Sequence, residues 1–382
     1  MKRPSQGFSL IELMTAITIG LMILVGLSSV FVNSSTASRE LKNTAEQIEN
    51  GRYAIELMSQ DLRHAGFYGE LSTLPAVPAS AAPCAAPTAG AVSATNNAAL
   101  ALPVQRVVGG TDCTALLTSD NRQADSDIFA VRRVDTTRLP VSCTTTAAVE
   151  ANAVYLQTTP DAAEIQIPTA VATINSTMNA TGAATGTTMV RRDMTVTAGT
   201  TAGTCGTAVS GQFPQVAASI RKYRTHIYFV APCSVPADGS TICTGASDDN
   251  GRPIPTLKRL EMGASGAFSI VPIVEGIEAI RVEYGLDTIP TTADVNTGLI
   301  GDGVTDSYTS TPSLTDAGNA ISARIHVLAR NTTPTAGYVD DKTYTLAGAT
   351  FTPSGAQTSY KRHVYSAEVR IVNPAGRREV PR

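Results

Sequence analysis

GFSLIELMTAITIGLMILVG (Gly7–Gly26) decides how the rest of this chain is arranged. The apolar run containing it extends from Phe8 to Phe31, 24 residues. As a helix it would be roughly 36 Å long, enough for the ~30 Å hydrocarbon core of a bilayer. One acid, Glu12, sits near its start, and Lys2 and Arg3 precede it. The positive-inside rule then puts the N-terminus in the cytoplasm and all later residues beyond the inner membrane. A secretory signal peptide has a shorter apolar region followed by its cleavage site. Here Gly7 precedes the apolar run, so a cut after Gly7 removes the basic leader and keeps the membrane helix.

The helical pattern continues past the membrane in NSSTASRELKNTAEQIENGRYAIELMSQDLRHAGFYG (Asn33–Gly69). Leu41, Ile48, Ile55 and Leu62 recur every seven residues, with Ala45 and Met58 filling the stripe, while Arg39, Glu40, Lys42, Glu46, Glu49 and Glu56 fall largely elsewhere. This predicts one amphipathic helix in register with the span, from Phe8 to about Ala65, ended by Gly66. Its outer half is expected to lay that stripe on a globular domain. No proline occurs between Phe8 and Leu74, so nothing kinks it.

The remaining sequence reads as β-structure. The 382 residues are 43% hydrophobic but only 16% charged, so the surface must be built from Thr, Ser, Asn and Gly. Asp127–Thr137, apolar then mixed, reads as a strand, and period-two alternation marks strands in Ala218–Pro232, Ile321–Arg330 and Ser359–Pro374, bounded by turn residues. In Ala218–Pro232 the sides are Tyr223, Ile227 and Phe229 against Lys222, Arg224 and His226. PIVEGIEAIRVEYGLD (Pro272–Asp287) reads as a short turn of helix and then a strand. Ser72–Leu102 and Asn175–Val209, rich in small residues, read as surface loops. The expected fold is α+β: a long N-terminal helix packed on antiparallel sheet. The expected divisions are a leader 1–7, a helix 8–65 with 8–31 in the membrane, and a β-rich domain 66–382.

Six cysteines, Cys84, Cys113, Cys143, Cys205, Cys233 and Cys243, show no C-x-x-C spacing. With an export signal they read as up to three disulfides in an oxidising compartment. Fifteen connectivities are open. Sequential pairing is the working expectation, best founded for Cys233–Cys243, whose CSVPADGSTIC loop holds Pro, Asp and Gly. Buried free thiols are the alternative.

KRPSQGFSLIELM (Lys2–Met14) resembles a type IV prepilin signal. The resemblance implies Gly7 as the cleavage residue, Phe8 as the new and N-methylated amine, and Glu12 as the acid five positions into the mature chain. Cleavage would take the formal charge from −3 to −5 by removing Lys2 and Arg3. A lone acid in apolar surroundings needs a cation or a proton. The α-amine of a neighbouring subunit lies at the same depth and would set axial register. An interfacial Glu snorkelling to the headgroups is the plainer reading. DLRHAGFYG (Asp61–Gly69), VEGIEAIRVEYGLD (Val274–Asp287), ARIHVLARNT (Ala323–Thr332) and YKRHVYSAEVRIVNPAGRR (Tyr360–Arg378) resemble the PilW-type minor pilins, in the same order. The resemblance implies a minor pilin that joins other minor pilins in a complex priming type IV pilus assembly, with a place at the pilus tip. Its implied partners are those minor pilins, the major pilin, a tip-associated adhesin and the prepilin peptidase. Its implied location is the inner membrane, with the C-terminal domain in the periplasm, and then the pilus. A J-type pseudopilin of type II secretion shares this plan, and a tip adhesin binding a surface ligand is a further alternative.

Nothing points to catalysis. No H-E-x-x-H, G-x-S-x-G, phosphate loop or G-x-G-x-x-G occurs. No cofactor and no metal are expected. Of His64, His226, His326 and His363, the last three fall on strands beside Lys or Arg, where solvated faces are expected. DVNTGLIGDGVTD (Asp294–Asp306) has Ca²⁺-type oxygen ligands in Asp294, Asn296, Asp302 and Asp306, but lacks the EF-hand's closing Glu, so a polar loop is the plainer reading. Basic groups Arg221, Lys222 and Arg224, and Lys361, Arg362, Arg377, Arg378 and Arg382, read as solvated faces or partner contacts. With a net acidic chain and few interleaved aromatics, no nucleic-acid partner is expected.

Overall fold

The computed structural model describes residues 9–72, 74–92, 97–139, 147–159, 163–168, 173–174, 190–191, 216–217, 219–288 and 302–379. Helix α1 (Leu10–His64) is unbroken over 55 residues, about 82 Å at the helical rise. It ends where expected. Ala65 leaves helical geometry at ψ 137° and Gly66 takes φ +72°, a left-handed conformation that glycine adopts without a Cβ penalty.

The strands that matter are β1 (Val104–Val107), β2 (Ile128–Val134), β3 (Tyr155–Thr158), β4 (Ala163–Gln166), β5 (Ser219–Ala231), β6 (Thr256–Met262), β7 (Phe268–Glu275), β8 (Ile277–Leu286), β9 (Ser307–Thr309), β10 (Ala320–Arg330) and β11 (Arg362–Arg370). All their pairings are antiparallel. The 13-residue β5 is the spine of the first sheet, pairing with β2, β3 and β6, and β6 pairs with β7. The second sheet has the order β9-β8-β10-β11. A short helix α2 (Val372–Arg378) follows β11.

The outer half of α1 is the common lid of both sheets. Ala54, Met58, Leu62 and Ala65 share one core with Phe129 and Val131 of β2, Tyr228 of β5, Val282 of β8 and Ile325 and Val327 of β10. Alternation on β2 and β5 sends the other faces the opposite way. Ile128, Ala130, Ile227 and Phe229 belong to a second core with Cys233 and Cys243. The expected α+β architecture is present, with the predicted strands at their predicted places.

Two expectations are corrected. The stripe of α1 that meets the domain is not the seven-residue row. Leu62 and Met58 are buried and Ile55 is half-buried, but Ile48 is 40% and Leu41 74% exposed, and Ala45 is exposed too. The buried row is Gln47, Gly51, Ala54, Met58, Asp61, Leu62 and Ala65, which follows the 3.6-residue turn. A strict heptad drifts by about 20° per repeat on a straight helix, so three repeats carry it off the contact face. Pro272–Asp287 also holds no helical turn. It is the end of β7 and all of β8, broken by Gly276 at φ +76°. This corner carries the chain from the first sheet to the second. A Cβ on Gly276 would sit 2.6 Å from the Arg330 carbonyl oxygen.

Candidate functional site

The candidate site is α1 itself, with an apolar half and a docked half. Its first half is the one helix among the described residues long and apolar enough to cross a membrane, and none of that apolar window is buried. Leu10, Ile17, Met22, Leu24 and Phe31 each expose more than half their surface. At its start the Glu12 carboxylate turns back to accept the backbone N–H of Ser9 at 3.0 Å. This meets one of the four N–H groups that a helix start leaves without a partner. Thr15 and Thr18 satisfy their hydroxyls on carbonyls one turn earlier, so these two hydroxyls are paired within the helix itself. Gly7 and Phe8 lie outside the described residues.

The docked half is fastened by polar side chains that sequence periodicity does not mark. Gln47 donates through Nε2 to the carbonyls of Ala329 (2.9 Å) and Lys361 (3.1 Å). Asn50 donates to the Glu275 carbonyl at 3.2 Å. Lys361 Nζ reaches Glu40 at 2.6 Å. Gly51 is the closest approach, because the Tyr365 ring lies against its backbone.

Asp61 forms the inner anchor. Its side chain is 5% exposed, and it accepts from Arg133 Nε at 2.7 Å, His226 Nδ1 at 2.6 Å and Tyr228 OH at 3.0 Å. Three strand residues thus converge on one helix carboxylate. Burial pushes the Asp61 carboxyl up, but the His226 hydrogen bond and the charges of His226 and Arg133 outweigh it and hold it well below the usual carboxylate range. His226 is buried, which corrects the expectation of a solvated strand face. It alternates with Tyr223 and Ile227 as the sequence predicts, but its face is covered by α1 and not by water.

The far end of α1 is capped from a distance in sequence. Asn373 donates to the Ala65 carbonyl at 3.2 Å, and Arg377 to the Gly66 carbonyl at 2.9 Å. Both come from α2, so the C-terminal NPAGRR segment satisfies the carbonyls left open by the helix end. Arg378 donates to the Asp287 carbonyl at 2.9 Å. The basic groups expected to be solvated are therefore largely engaged. Arg362 is held by Glu278 (2.5 Å) and Asp340 (3.0 Å) with none of its side chain exposed. Arg224 pairs with Asp135 at 3.1 Å, Lys222 with Glu150 at 2.6 Å, and Arg221 donates to the Thr136 carbonyl. Arg382 lies outside the described residues.

Among the described residues two disulfides form, Cys84–Cys113 and Cys233–Cys243, as sequential pairing predicts. Cys143 and Cys205 lie outside the described residues. The one grouping of metal-ligand types found among the described residues is Cys233, Cys243 and Asp248. Its sulfurs are joined to each other, and Asp248 accepts backbone N–H groups of Ala237, Thr244 and Gly245. In the acidic loop, Asp294 and Asn296 lie outside the described residues. Asp302 accepts the Val304 N–H within a turn, and Asp306 accepts both the N–H and the hydroxyl of Thr288, 18 residues earlier.

Two family models match the chain. Residues 243–373 match the model described as type IV pilus-assembly protein W, and residues 2–28 match the prokaryotic N-terminal methylation motif. The first match covers β6 to β11, the strands that carry most of the α1 dock, and the second covers Gly7, Phe8 and Glu12. No curated protein and no solved structure matches the chain.

Proposed function

We propose, from the premise that this chain is a PilW-type pilin of the type IV pilus-related family, that it is a minor pilin priming pilus assembly. Residues 1–7 are the leader cut by the prepilin peptidase, and Phe8 becomes the methylated N-terminus. Residues 8–31 hold the subunit in the inner membrane, and residues 66–382 lie in the periplasm. The subunit joins other minor pilins and the major pilin, and reaches the pilus with them, at its tip beside a tip-associated adhesin.

The observation that carries this reading is the division of α1. None of its apolar first-half window is buried among the described residues, while the second half is fixed to both sheets by Met58, Leu62 and Asp61. A helix that is apolar all round must be covered by lipid or by other helices. Lipid covers it before assembly, and neighbouring subunits cover it afterwards. In that setting the exposed Glu12 carboxylate is free to exchange its own Ser9 N–H for the amine of an adjacent subunit.

Co-purification of the full-length protein with candidate minor pilins from detergent extracts tests the proposal. Stable recovery with them, together with loss of pili and twitching on deletion, is the expected result. Loss of protein secretion with pili intact would assign it instead to a secretion pseudopilus. Normal pili and normal secretion in the deletion strain would overturn both.

A further inference from the structure

Arg132 is a buried cation whose hydrogen-bond partners are neutral. It projects from β2 and is 2% exposed. Its Nη1 donates to the Leu102 carbonyl at 2.8 Å and its Nη2 to Gln105 Oε1 at 2.6 Å. No carboxylate among the described residues makes an ion pair with it. Buried charges are normally paired, because desolvating an unpaired one is costly. A guanidinium has five N–H donors in a planar fork, so these two bonds leave donor capacity unused.

Arg132 lines a cleft of about 520 Å³, within the roughly 300–1,000 Å³ range of small-ligand sites. Thr225, its direct partner across the β2–β5 ladder, and Tyr223 line the same floor. The wall is the Pro- and Ala-rich segment 78–87. Every other described residue lining it is uncharged. The cleft lies on the sheet face turned away from α1, so a ligand there would not compete with the helix dock.

The cleft is also built in advance. The Cys84–Cys113 disulfide ties the wall to the segment after β1. Gln105 holds the Arg132 fork with its oxygen while its Nε2 donates to the Ala81 carbonyl of the wall at 3.0 Å. Thr88 and Asn97, which both line the cleft, exchange two hydrogen bonds, of 2.9 and 2.7 Å. Such fixing lowers the ordering cost of binding.

We infer that this cleft binds a ligand presenting a single carboxylate on an uncharged body, with Arg132 receiving the carboxylate. One cation and no second positive group match a monoanion better than a phosphate dianion. The carboxylate has two possible sources, a small organic acid or the end of a polypeptide.

Calorimetric titration of the full-length protein in detergent tests this with two matched pairs: butyrate against butyramide, and acetyl-Ala-Pro with a free C-terminus against its amide. The carboxylates should bind about tenfold or more tightly than their amides. Arg132→Met should abolish that preference, and Arg132→Lys should retain part of it. Ala82→Trp, at an exposed wall position, should block binding with the fold unchanged, which keeps the test decisive if Arg132 variants misfold. A preference in the peptide pair alone identifies a polypeptide end, and a preference in both pairs a small acid as well. Absence of binding by either carboxylate at millimolar concentration, or equal binding of acid and amide, would overturn the inference.

Discussion

Gly51 of α1 lies directly beneath Tyr365 of β11: a Cβ placed on Gly51 would fall 2.2 Å from the ring carbon Cε2. A mid-helix glycine costs about 0.5–1 kcal/mol relative to alanine, so its presence needs a packing reason, and the ring is that reason. Gly51→Ala should gain helix propensity yet destabilise the protein by about 1–2 kcal/mol net, because overpacking outweighs propensity. Gly51→Ala combined with Tyr365→Ala should recover the helix gain. Chemical denaturation of the two variants checks this. An unchanged or higher stability for Gly51→Ala alone would show that the ring yields freely.

The Asp61 anchor makes stability depend on pH. Its carboxyl is held below its unfolded-state value, so its contribution is fully present above about pH 5 and is lost as pH falls through the acid range. The charged or titratable groups facing it are Arg133, His226, Tyr228, Arg259 and His64. Asp61→Asn should cost about 3 kcal/mol at neutral pH, since it leaves buried partners unmatched. The gap to wild type should narrow towards pH 3. Denaturation curves across pH measure it, and a gap constant from pH 7 to pH 3 would exclude Asp61 as the titrating group.

The exposed side of α1 separates folding from assembly. Leu41 and Ile48 are 74% and 40% exposed. Leu41→Ser with Ile48→Ser should shift stability by no more than about 0.5 kcal/mol per site. The same pair should reduce recovery with partner pilins. Met58→Ala, on the docked face, should instead cost about 2–5 kcal/mol. If the double serine variant assembles normally, that stripe is not an intersubunit surface.

At the N-terminus, Glu12→Ala should leave export and cleavage intact but impair incorporation into pili. Gly7→Val should leave an uncleaved, full-length membrane protein. Immunoblots of membrane and sheared-pilus fractions distinguish the two. Normal incorporation of Glu12→Ala would sink the proposed pairing of Glu12 with a neighbouring amine.

Legibility followed the range of the interaction. The membrane run, the helix end at Gly66 and the long strands are local patterns of hydropathy and turn chemistry, readable along the chain. The docked face is hard to read because the seven-residue row and the 3.6-residue turn diverge slowly, leaving Leu41 exposed and Leu62 buried. The burial of His226 is not legible in the sequence, because alternation tells which side of a strand a residue takes, not what covers that side.

By itself, then, the sequence determined a basic stretch ahead of a membrane-length helix carrying one acid, and an antiparallel β domain, since each rests on the chemistry of neighbouring residues. Only the tertiary structure decided that Asp61 meets Arg133, His226 and Tyr228, that Arg377 caps a helix ending some 310 residues earlier, and that Arg132 stands without a carboxylate partner among the described residues. These depend on which distant segments share a small volume, and there burial makes each unmatched charge and each added methyl group count.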